Sequence, residues 1–133
     1  MPQERTSRRW VRRHTRITRA THWVWVVCLF FLLLSGLQIF NAHPVLYLGD
    51  QSGFEFSNEI FAIGAAEGRG FVDAFGLRVD TTGVLGFSGG VPRAFPEWAT
   101  VPSHTDLATG RVIHFFFAWI LVGTLAMWLL GAV

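Results

Sequence analysis

The chain has 133 residues, of which 51% are apolar, 15% aromatic and only 15% charged. That length bounds it to one compact unit, and an apolar content this high, with a mean hydropathy of +0.39, points to a membrane protein rather than a soluble domain. The net charge of +2 hides a segregation, because seven of the eleven basic residues are the arginines at 5, 8, 9, 12, 13, 16 and 19. The one cysteine, Cys28, excludes an intrachain disulfide.

Residues 1–20 form a basic leader. Its abutment on an apolar run makes anionic lipid head groups its expected partner, in preference to nucleic acid. By the positive-inside rule the same arginines hold the N-terminus in the cytoplasm. A twin-arginine export signal is disfavoured, because the following run is longer than an ordinary signal h-region and Ile39 to His43 lacks small residues at both cleavage-determining positions.

Residues 21–41 form the first expected transmembrane helix. From Val24 to Phe40 the run carries no charge, and with Thr21 to Trp23 it reaches the roughly 20 residues that span a bilayer. It stops at Asn41-Ala42-His43-Pro44, where Pro44 disfavours helix in the residue before it. Residues 42–109 hold eight acids against three arginines and most of the glycine and proline. This composition predicts a long, irregular extracytoplasmic loop, with the segment from Phe95 to Pro102 lying at the outer interface as a lid, an anchor or a docking surface. Residues 110–133 form the second expected transmembrane helix. The expected fold class is therefore all-α: two transmembrane helices joined by an irregular extracytoplasmic loop.

Each span carries one histidine near its start: His22, three residues after Arg19, and His114, three residues after Arg111. An ionisable side chain inside a bilayer is costly and marks function by default. Imidazole ligates haem iron well; a lone histidine can equally hydrogen-bond across a helix interface. With both termini inside, His22 sits near the inner face and His114 near the outer one, roughly 20 Å apart at 1.5 Å per residue. One haem cannot bridge that gap, so two haems, one per histidine, would be stacked across the membrane. Arg16, Arg19 and Arg111 are placed to pair with haem propionates. Gly36 and Ala118 would let a macrocycle or another helix approach.

Arg16-Ile-Thr-Arg-Ala-Thr-His-Trp23, the span ending Ser35-Gly-Leu-Gln-Ile-Phe-Asn-Ala-His-Pro44, and Asp106-Leu-Ala-Thr-Gly-Arg-Val-Ile-His-Phe-Phe-Phe-Ala-Trp119 together resemble the bacterial membrane diheme cytochrome b family. That family includes the cytochrome b subunits of nickel-iron hydrogenases and of molybdopterin oxidoreductases. The resemblance covers most of the chain. It implies a four-helix haem-binding bundle of which this sequence is the N-terminal half, with His22 and His114 as axial ligands of two b-type haems. The implied function is electron relay between the membrane quinone pool and an extracytoplasmic oxidoreductase, without substrate chemistry of its own. The missing helices and second ligands would come from a second chain or from a homodimer. The rival expectation is a two-span structural or sensory membrane protein without haem.

Overall fold

A computed structural model describes residues 16–50, 52 and 58–131. The leader before Arg16, including five of its seven arginines, lies outside the described residues. Helix α1 runs Arg16–Phe40 and helix α2 runs Leu107–Gly131. Each has 25 residues, or about 38 Å at 1.5 Å per residue, enough to cross about 30 Å of hydrocarbon. Both are long and apolar enough to span a membrane.

The helices start and stop for local reasons. At the end of α1 the Asn41 N–H reaches the Leu37 carbonyl, then Ala42 and His43 N–H close shorter turns onto Ile39 and Phe40. That tightening precedes Pro44, which cannot continue the helix. Asp106 caps α2: its Oδ1 accepts from the Thr109 N–H at 3.0 Å, satisfying a donor that the first turn leaves unpaired.

The two helices pack side by side and antiparallel. Phe31 and Phe117 stack at 4.3 Å between centroids, and Trp25 meets Trp128 edge-on at 5.8 Å. The Trp25 indole N–H donates to Thr124 Oγ1 at 3.0 Å. Cys28, Ser35 and Gln38 are the buried residues of α1, and their spacings of seven and three residues keep them on one stripe, which faces α2.

The connector corrects the all-α expectation, because it folds into strands rather than an irregular loop. Strands β1 (Val45–Tyr47), β2 (Glu59–Ala66), β3 (Arg69–Ala74) and β4 (Leu77–Asp80) form an antiparallel meander in the order β1-β2-β3-β4. A two-stranded ribbon of β5 (Phe87–Ser88) and β6 (Val91–Pro92) follows, then a 3-10 turn at Glu97–Ala99.

Local chemistry accounts for the sheet. Glu67-Gly68 and Phe75-Gly76 are two-residue connections with positive φ at both positions, the geometry that matches the natural twist of a hairpin. The register aligns Leu46, Phe61, Ala74 and Leu77 across the four strands, with Ile63, Val72 and Val79 in the next row, so one face of the sheet is apolar. The opposite face carries Asp73 and Arg78, paired at 3.2 Å, with the guanidinium 4.1 Å over the Phe71 ring. Ile63 is buried. Gly70 and Gly86 lie where the segment before β5 crosses the sheet; a Cβ on Gly70 would run into the Leu85 carbonyl, and one on Gly86 into the Gly64 carbonyl.

Candidate functional site

His114 sits two helical turns into α2 and faces α1. Its Nδ1 lies 3.0 Å from Ser35 Oγ. Ser35 is fully buried, and its hydroxyl lies 2.6 Å from the Phe31 carbonyl. A hydroxyl has one proton. Donated to Phe31, it leaves Ser35 Oγ as the acceptor, so His114 Nδ1 carries the hydrogen and Nε2 keeps its lone pair. This is the tautomer a histidine needs in order to bind a metal through Nε2 while its other nitrogen is held by the protein.

Gly36 makes room for this arrangement. A Cβ at Gly36 would stand 3.6 Å from His114 Cε1, so alanine would just touch the ring and anything larger would displace it. Gly36, fourteen residues after His22 and so near the same face of α1, is where α2 comes close with His114. Ala118 is half-buried one turn further along α2.

His22 is exposed on α1. Together with Thr18, Arg19 and Trp23 it lines an open cavity of about 470 Å³ at the start of the helix. Arg19 and His22 are three residues apart and therefore neighbours on one helix face. Arg111 and His114 repeat that spacing on α2, and Arg111 is exposed beside the first turn. Arg16, the first described residue, is also exposed. His22 precedes Ser35, the residue level with His114, by thirteen positions, or about 20 Å along α1. The two imidazoles therefore do not share a site. Among the described residues no three His, Cys, Asp or Glu side chains converge as a metal-binding group.

The connector end of the helix pair carries a polar layer that sequence reasoning missed. Gln38, 2% exposed, donates from Nε2 to the His104 carbonyl at 2.9 Å. Asn41 Oδ1 accepts from the Phe95 N–H at 2.8 Å, and Asn41 Nδ2 reaches Gln38 Oε1 at 3.4 Å. The Arg93 side chain is only 6% exposed; it donates to Thr100 Oγ1 at 3.1 Å and pairs with Glu97 at 3.4 Å. A polar Ser-Gly-x-Gln step at the end of an otherwise apolar run was the available signal for Ser35 and Gln38. Arg93, one arginine among glycines, had none.

Two carboxylates, the half-buried Asp106 and the exposed Asp80, are held below their ordinary range. Hydrogen bonds from the Thr109 hydroxyl and N–H lower Asp106, with His104 3.7 Å away adding a charge contribution when protonated. The Thr82 hydroxyl and N–H do the same for Asp80, with Arg69 nearby.

No protein-family model, curated protein or solved structure matches this chain.

Proposed function

We propose that the chain is a membrane-embedded b-type cytochrome subunit, or a part of one, that relays electrons between the quinone pool and an extracytoplasmic oxidoreductase. The observation that supports this reading most is the Ser35–His114 contact, which orients the imidazole and leaves Nε2 available as an axial ligand. On this reading the chain spans a bacterial cytoplasmic membrane twice with the leader inside. His114 holds one haem b near the outer face and His22 a second near the inner face. Bound haem supplies reversible one-electron chemistry at iron; the chain's own residues ligate, orient and neutralise it. Arg19 and Arg16 on the inner side and Arg111 on the outer side are the cations nearest in sequence to each histidine and would face the propionates.

Each level has one intramembrane histidine among the described residues, so the second axial ligand comes from another helix. A partner chain or further segment is favoured over a parallel homodimer, because the resemblance is to a four-helix bundle in one polypeptide.

A reduced-minus-oxidised absorption spectrum of membranes containing the chain with its partner tests the reading. Two b-type haems are expected, and His22→Ala or His114→Ala should each remove one while leaving most of the other. Loss of neither haem in either variant rejects the ligand assignment. The second reading, a two-span structural or sensory protein, is favoured by the same Ser35–His114 bond if that bond only ties α1 to α2. A haem-free spectrum in the assembled complex selects it.

A further inference from the structure

The connector does not simply sit above the helices. Its last stretch, from Val84 to Val101, folds back along α1. The Val101 N–H lies 3.3 Å from the Leu34 carbonyl, and Leu34 is six residues, or about 9 Å, before the end of α1. The Phe95 ring lies 6.1 Å from Phe40. Between this stretch and the helix runs an open groove of about 460 Å³, floored by Phe30, Leu33 and Leu37 and walled by Leu85, Phe95 and Trp98. Among the described residues its lining side chains are apolar, the Trp98 indole N–H being their one hydrogen-bonding group.

We infer that this groove holds a phospholipid acyl chain from the outer leaflet, and that the turn at Glu97–Ala99 is seated in the membrane interface with Trp98 as its anchor. The inference rests on the membrane-spanning reading of α1. Three observations on the molecule favour this occupant. Phe30 and Leu33 are 57% and 61% exposed, so the groove floor belongs to the helix surface that meets lipid. Non-helical backbone near hydrocarbon depth requires its polar groups to be satisfied by protein. The Val101 N–H meets the Leu34 carbonyl, the Phe95 N–H meets Asn41, and the Ala99 and Thr100 N–H groups close onto Pro96 and Glu97. Finally, the turn is two-sided: Trp98, 81% exposed, is an amphipathic ring suited to head-group level, while its neighbour Glu97 pairs with Arg93. A quinone head group would need polar partners that the lining lacks, so the hydrocarbon chain is the better fit.

Site-directed spin labelling of the full chain in phosphatidylcholine nanodiscs tests this. Single labels are placed through Trp98→Cys and Val84→Cys, with Leu33→Cys as a marker of the span and Phe75→Cys, at the exposed far turn of the sheet, as a marker of water. Cys28 is buried, and unlabelled native chain controls for it. Labels at 98 and 84 should be several-fold more accessible to oxygen than to a nickel chelate, at a shallower depth than the label at 33, with the label at 75 showing the opposite preference. Nickel accessibility at 98 and 84 equal to that at 75, with 33 still shielded, overturns the groove assignment and leaves the membrane reading intact. Shielding of 98 and 84 from both agents replaces the lipid by a protein occupant and also overturns it. Nickel access at 33 rejects the membrane reading itself.

Discussion

Ser35 is where the chemistry of a single side chain decides what its neighbour can do. Its one proton goes to the Phe31 carbonyl, which makes it an acceptor for His114 and sets the tautomer of the ring. Replacing Ser35 by alanine should therefore have two separable effects. If the chain holds two haems as proposed, loss of the orienting bond should weaken retention at the His114 site roughly ten-fold while sparing the haem at His22. In the haem-free chain the cost should be only about 0.6 kcal/mol, the usual worth of a hydrogen bond between membrane helices. Haem titration and detergent unfolding measure the two. Thr124→Val, which removes the acceptor of the Trp25 indole, should cost about the same 0.6 kcal/mol and leave haem untouched. Asp106 gives a pH dependence at the same scale. Its carboxylate is held below the ordinary value of about 3.9 by Thr109. The ionised cap therefore stabilises α2 at neutral pH, and that contribution is lost as pH falls below 3.9 and through the lowered folded value. Asp106→Ala should lower the midpoint of thermal unfolding at pH 7 and flatten this acid limb; an unchanged acid limb would remove the cap from the account.

At the scale of elements, the helices and the sheet were unequally legible. Uninterrupted apolar runs bounded by Pro44 on one side and capped by Asp106 on the other define helices whichever neighbours they have. The strands are short, and their apolar alternation is diluted by Gly64, Gly70 and several alanines, so composition alone suggested an irregular loop. The signal that was present lay in the turns: Glu67-Gly68 and Phe75-Gly76 each separate two runs by two residues ending in glycine, which is a hairpin pattern. Glycine at 86 has a different role, since it combines φ of +77° with a close approach to the Gly64 carbonyl and to Gly70. Gly86→Ala should destabilise the contact between the β5–β6 ribbon and the sheet by about 1–3 kcal/mol. Faster hydrogen exchange across β2 and β3, with α1 and α2 unaffected, is the expected readout.

For the whole molecule, the proposed orientation rests on charge and the proposed membrane location on apolar length. An activity reporter that works only outside the cytoplasm should be active when fused in the connector between Asp50 and Glu97, and silent when fused after Val133. The reverse pattern would place His22 at the outer face and exchange the two haem levels. The connector's strands also change how the molecule would meet an extracytoplasmic partner. A docked enzyme would meet a small sheet with an apolar face in place of a flexible loop, and that sheet is tied to α1 through Pro44, whose carbonyl accepts from Ile63 N–H at 2.9 Å.

The amino-acid sequence by itself determined two apolar helices, the arginine-rich leader from which the first starts, and one histidine near the beginning of each, because length, charge and spacing act locally and need no partner. It could not determine which small or polar residue would stand beside which imidazole. Gly36 lies on the His22 side of a helical wheel, yet the crossing of α1 and α2 brings it to His114. Ser35 and Gln38 owe their environments to contacts across dozens of residues, with His114 and with the His104 carbonyl, and Arg93 owes its own to the turn that brings back Glu97 and Thr100. The sheet, too, depends on pairing between strands that are individually too short to announce themselves. Those features were decided only in the tertiary structure, where antiparallel packing of the helices places the end of α1 against the start of α2 and the connector folds back along α1.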